Sequence, residues 1–190
     1  MQSICIFCGA SMGISQNYAA AAREMAALLV SRGIRIIYGG GRVGIMGVVA
    51  DTAMRAGGSV IGVMPKNLVD REIAHEGLTE LHVTDGMPER KSMMNELSDG
   101  FLCLPGGFGT LEEVTEVLSW AQIGLHAKPC GFLNTDHYFD SLMSFFDEMV
   151  DAGFLAPRSR RLALLADEPA ALIRLVDQST VSRIDRWNSE

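Results

Sequence analysis

Apolar residues along the chain alternate between two textures. Short, nearly unbroken runs rich in Ile, Val, Phe and Leu fall at residues 3–8, 34–38, 59–64, 80–83, 101–104, 130–133 and 162–165. Between them lie longer segments with helical spacing, at residues 17–31, 45–56, 89–97, 111–124, 138–152 and 169–178. Runs with little polar alternation predict strands buried on both faces, as in a parallel sheet covered by helices. In the first helical segment Ala22, Met25, Ala26, Leu29 and Val30 form an inward stripe. The helical methionines Met46, Met54, Met93, Met94 and Met149 read as core fillers. Strand–helix alternation with right-handed crossovers predicts an α/β, Rossmann-like, three-layer fold, its sheet mostly parallel with helices on both faces. No linker, repeat or low-complexity stretch interrupts the pattern, so residues 1–190 read as a single domain.

Composition narrows the function classes. The chain has 190 residues, 48% of them hydrophobic. A chain of this length buries about 70% of its unfolded surface, with no need for disulfide staples. Sixteen basic residues against twenty-three acidic ones leave a net charge of −7, which argues against nucleic acid or an anionic membrane as partner. A small anion in one local pocket remains compatible with that balance. The start of the chain lacks the pattern of a secretory leader, and no apolar run approaches the ~20 residues of a membrane span. The expected location is cytoplasmic. Cys5 and Cys8 form a C-x-x-C, but strand alternation places both inside a buried run, where they read as packing residues. Cys103, Cys130, His75, His82, His126 and His137 show no paired ligand spacing, so no metal is expected.

Two strand ends stand out. The run 34–38 leads into Gly39-Gly40-Gly41-Arg42-Val43-Gly44-Ile45-Met46-Gly47, and the run 101–104 into Pro105-Gly106-Gly107-Phe108-Gly109-Thr110. Ligands of open α/β sheets bind beyond the carboxyl ends of the strands. A glycine turn there lets backbone N–H groups approach a phosphate at the positive end of a helix. Each turn also reads as a tight connection that holds no ligand. Gly39-x-Gly41-x-x-Gly44 matches a dinucleotide fingerprint, yet it follows the second predicted strand and lacks the downstream acidic residue, so NAD is disfavoured. No Walker lysine follows either turn, which disfavours an ATPase. Two charged clusters converge on the same sheet edge, Glu89-Arg90-Lys91 and Glu112-Glu113. Arg90 and Lys91 also read as a solvated face. The spacing Thr110-Leu111-Glu112-Glu113 fits a helix capping box as well as a catalytic carboxylate.

Taken with their flanks, the two turns resemble the Lonely Guy (LOG) family of cytokinin-activating phosphoribohydrolases. The family pattern Pro-Gly-Gly-x-Gly-Thr-x-x-Glu is present from Pro105 to Glu113. The resemblance extends over about residues 3–155 and includes Phe7-Cys8-Gly9-Ala10-Ser11, Tyr38-Gly39-Gly40-Gly41, Val60-Ile61-Gly62-Val63-Met64-Pro65, Arg71-Glu72-Ile73, Arg90-Lys91 and Trp120-Ala121-Gln122-Ile123-Gly124. It implies hydrolysis of the N-glycosidic bond of a nucleoside 5′-monophosphate, N6-prenylated or plain AMP, without a cofactor. By motif position the catalytic pair is Arg90 and Glu113. Implied substrate contacts are Glu72, Arg90, Lys91, Gly106, Gly107, Phe108, Gly109, Thr110, Leu111, Glu112, Glu113 and Ser119. A homodimer is also implied, with the apolar segment around Trp120, Ile123 and Leu125 as a packing surface. Members have often been labelled lysine decarboxylases, but Lys66, Lys91 and Lys128 are the only lysines and none lies in a pyridoxal phosphate motif. The competing class is a non-catalytic nucleotide or cofactor carrier of Rossmann-like type. The joint presence of Arg90 and Glu113 favours the enzyme.

Overall fold

The computed structural model describes residues 1–69 and 74–179. These form a seven-stranded sheet in the order β4-β3-β2-β1-β5-β6-β7. The strands are β1 (Ser3–Phe7), β2 (Arg35–Tyr38), β3 (Val60–Pro65), β4 (Glu80–Thr84), β5 (Phe101–Cys103), β6 (Cys130–Leu133) and β7 (Ala163–Ala166). Every pairing is parallel, with Cys5 opposite Ile37 on one side and Phe101 on the other. Around the sheet lie α1 (Gln16–Ser31), α2 (Gly44–Arg55), α3 (Lys66–Val69), α4 (Met87–Glu96), α5 (Phe108–Gln122), α6 (Asp140–Asp151), α7 (Pro157–Arg160) and α8 (Pro169–Gln178). The predicted strands and long helices are present, with ends shifted by a few residues. The short α3 and α7 were not predicted, because a single turn carries no periodicity.

Strand alternation splits the core in two. Ile4 and Ile6 of β1 join Leu29, Ile36, Val49 and Ile173 on the α1–α2–α8 face. Cys5 and Phe7 join Ile37, Phe101, Val114, Phe132 and Phe146 on the other. β1, β3 and β6 are buried along their whole length, whereas the edge strand β4 is largely exposed. All four cysteines are free and buried, as the packing reading expected. Met94 is core, and Met54, Met93 and Met149 pack against it. Among the described residues no helix is long and apolar enough to cross a membrane.

The strand order reverses between β1 and β5, because β1 pairs with β2 on one side and with β5 on the other. Loops leaving these strands must part there and open a crevice. The loop after β1 rests on the start of α2, where the Met46 N–H donates to the Gly9 carbonyl at 3.2 Å. Gly44 has φ +61°, and a Cβ there would lie 2.2 Å from the Ala10 carbonyl carbon. Gly57 has a similar φ of +77° with nothing within 4 Å of an added Cβ. Gly57→Ala therefore carries only the left-handed penalty of about 1–2 kcal/mol. Gly44→Ala adds a backbone collision, and urea unfolding is expected to show a clearly larger loss for it than for Gly57→Ala.

Candidate active site

The crevice is an open cleft of about 510 Å³. Its walls come from residues 8–13 after β1, Tyr18 of α1, Ile45 and Met46 of α2, Met87 and Arg90 of α4, Pro105, Gly106 and Gly107 after β5, the first turns of α5, and Tyr138. Gly107 is the residue before α5 and makes no side-chain cap. The bond from Leu111 N–H to the Gly107 carbonyl, at 3.1 Å, is a first-turn bond of the helix. The N–H groups ahead of it are the donors that every helix start leaves unpaired, and they meet the cleft with the positive end of the helix dipole.

This start overturns the capping-box reading. Thr110 lies inside the first turn and is buried, so it caps nothing. The Glu113 carboxylate instead accepts a 2.6 Å hydrogen bond from Arg90 Nη1. The two side chains are only 8% and 12% exposed, so Arg90 is not part of a solvated face either. Its Nε donates to the Val63 carbonyl in β3, at 2.9 Å. Burial pushes the Glu113 carboxyl above its ordinary value, while the adjacent guanidinium holds it back down.

Gly39 makes room for this pair. A Cβ there would lie 2.3 Å from Arg90 Nη2 and 3.3 Å from Met46 Sδ. At Gly47 it would meet the Arg42 carbonyl oxygen at 2.2 Å. Protein groups thus pack against the first glycine turn, and Gly39, Gly40, Gly41 and Gly44 are not among the cleft residues, although Ile45 and Met46 just beyond them are. The turn after β5 is the one that faces the cleft.

The remaining expected residues divide. Gly106, Gly107, Gly109, Thr110 and Glu112 line the cleft with Arg90 and Glu113. Lys91 lies outside it and bonds to Glu112 and Glu116, which raises its pKa, Glu112 most strongly. Leu111 packs against the core below α5, and Phe108 is 93% exposed and outside the lining. Ser119 lies in a separate depression with Leu118, Phe146 and Met149. Glu72 falls outside the described residues. Sequence reasoning missed Met12, Tyr18, Met87 and Tyr138, and Met46, which packs against the core as expected, lines the cleft as well. The loop after β1 was detectable, since it follows the first strand beside the sheet's reversal. Tyr138 left no local signal.

Lys91 is tied to two glutamates, Lys128 donates to the Asn95 carbonyl, Lys66 is exposed, and none of the three lines the cleft.

The sequence model of a family described as "Possible lysine decarboxylase" matches residues 46–176. The chain is 46% identical over 175 residues to the rice (Oryza sativa subsp. japonica) protein named "Probable cytokinin riboside 5'-monophosphate phosphoribohydrolase LOGL2", covering 92% of this chain and 72% of that one. It is 45% identical over 175 residues to cytokinin riboside 5'-monophosphate phosphoribohydrolase LOG7 of Arabidopsis thaliana, covering 92% and 81%. Among solved structures, the molybdenum cofactor carrier protein of Chlamydomonas reinhardtii superposes with a TM-score of 0.70 at 23% identity, over 93% of this chain and 96% of that one. At that identity the likeness is one of fold. With relatives this similar over nearly its whole length, the chain belongs to the LOG family, whose curated members are named cytokinin riboside 5'-monophosphate phosphoribohydrolases.

Proposed function

We propose that the protein hydrolyses the N-glycosidic bond of adenosine 5′-monophosphate or its N6-modified forms, releasing adenine or a cytokinin base and ribose 5-phosphate. The observation that carries this reading is the Arg90–Glu113 pair, buried beside the open start of α5. Cleavage breaks the bond between C1′ and the base nitrogen and builds positive charge on the sugar. The Glu113 carboxylate stabilises that charge and orients the attacking water. The water oxygen bonds to C1′, and one water proton ends on the departing base. Arg90 keeps Glu113 ionised and fixed in direction, a task suited to a fork that is always charged. The 5′-phosphate rests on the turn of Gly106, Gly107 and Gly109, and this remote contact positions the sugar. A carrier has no comparable use for a buried carboxylate.

We further propose a homodimer, acting in the cytoplasm, through the outer face of α5. Ile123 and Leu125, just past the end of α5, are 43% and 64% exposed. Ser119 is outside the cleft of its own protomer, so its substrate contact requires a second copy. Light scattering at micromolar concentration should read twice the 20.6 kDa chain mass, and a single-chain mass would refute the dimer.

Purified protein incubated with AMP and with N6-isopentenyladenosine monophosphate should release free base, detectable by chromatography. No release from either substrate would overturn the hydrolase reading. Glu113→Gln keeps the shape but removes the charge, and kcat should fall at least ~100-fold in a folded protein. Activity needs the carboxylate, so kcat/KM should decline as pH falls through a Glu113 pKa that burial places above the ordinary glutamate value. Gly39→Ala pushes on the movable end of Arg90 while leaving the backbone unopposed. It should lower kcat/KM about 10-fold or more by displacing a group that orients the carboxylate, with little change in the urea midpoint.

A further inference from the structure

Tyr138 enters the cleft from a turn with unusual backbone. Asp136 and His137, between β6 and α6, have φ of +53° and +58°, and neither is glycine. Such strain persists only where the surroundings enforce it, and it concentrates at functional sites. Here the enforcing contacts come from the start of α1. Ser15 Oγ donates to the Asp136 carboxylate at 2.6 Å and Asn17 Nδ2 at 2.9 Å. Buried Asn134 braces the turn from behind, accepting from the Phe139 N–H at 2.8 Å. The result is that the Tyr138 ring packs edge-on against Tyr18, with centroids 5.7 Å apart. Its hydroxyl donates to the Gly106 carbonyl at 2.6 Å.

That carbonyl belongs to the peptide joining Gly106 and Gly107. Glycine on both sides leaves the peptide intrinsically free to flip. In a trans peptide the C=O and N–H point in opposite directions, so the orientation of one sets the other. A flip would exchange an N–H for a carbonyl oxygen, the group least suited to meet a phosphate. We propose that Tyr138 is a positioning residue for the anion turn: its hydroxyl pins the Gly106 carbonyl, so the Gly107 N–H is held in place before a 5′-phosphate arrives. The strained Asp136–His137 turn, clamped by Ser15 and Asn17, is the device that delivers the hydroxyl. This rests on the reading of the turn after β5 as the phosphate site.

Tyr138→Phe removes the hydroxyl and keeps the ring. Calorimetry with ribose 5-phosphate should show affinity weakened about 10-fold, the scale of one hydrogen bond that organises a site. Adenine, which has no phosphate, should bind as to the unaltered protein. With a nucleoside monophosphate, the loss in kcat/KM should fall mainly in KM. Ribose 5-phosphate affinity equal to that of the unaltered protein would overturn the proposal. Equal weakening for adenine would also overturn it, because it marks general distortion of the cleft. The binding arms need no turnover, so absence of hydrolysis by the unaltered protein would remove the hydrolase reading alone, and the two affinities would still decide the role of Tyr138.

Discussion

A carboxylate nearly out of water is costly unless a cation meets it, and the cleft is organised around that requirement. Glu113 rises from the start of α5 and Arg90 from the start of α4, helices that follow strands on opposite sides of the sheet's central reversal. They meet at 2.6 Å while the guanidinium is also tied to β3 through the Val63 carbonyl. Three separate sheet positions thereby set the direction of one carboxylate. Its neighbours respect the same geometry. Gly39 withholds a side chain where Arg90 Nη2 sits, and Lys91 turns the other way, to Glu112 and Glu116.

The two glycine turns look alike in sequence and do different work. The turn after β2 packs against the protein itself, with Gly39 facing Arg90 and Gly44 facing the Ala10–Ser11 backbone. The turn after β5 is packed on one side only, where Gly106 lies against Thr110 and Gly9, and its other side is the cleft wall. One turn seats Arg90 and the other faces the cleft. Both turns leave strands that flank β1, β2 on one side and β5 on the other.

Much of this was legible in the chain. The strands are buried on both faces, so their apolar runs survive unbroken, and Arg90 and Glu113 stand beside recognisable turns. The errors have physical causes. Thr110 and Glu113 have capping-box spacing, but the glycine pair lets α5 begin at Phe108, three residues too early for Thr110 to cap it. Met46 has the spacing of a core residue and sits where α2 meets the cleft, so it serves both surfaces. Tyr138 reaches Gly106 across 32 positions of sequence, through a turn whose two left-handed residues are not glycine. No local pattern encodes such a contact.

The asymmetry of the pair says what each member is for. Breaking a buried ion pair by deleting one partner typically costs about 3–5 kcal/mol, because the survivor is left uncompensated. The survivors differ here. Without Glu113, the guanidinium cannot shed its charge and must find water through the cleft. Without Arg90, the carboxyl has an easier exit, since burial already favours its neutral form and the group opposing that shift would be gone. It would take up a proton at a pH where the intact site is ionised. Arg90 thus favours the charged form of Glu113 as well as fixing where it points, and the proposed reaction at the sugar needs both. A glutamate with the same direction but no cation beside it would be shifted further toward its neutral form, which in the proposed mechanism is less able to stabilise positive charge at C1′. The dependence of the carboxylate on its partner is therefore chemical before it is structural, and the Val63 carbonyl and the vacancy at Gly39 matter because they hold that partner in place.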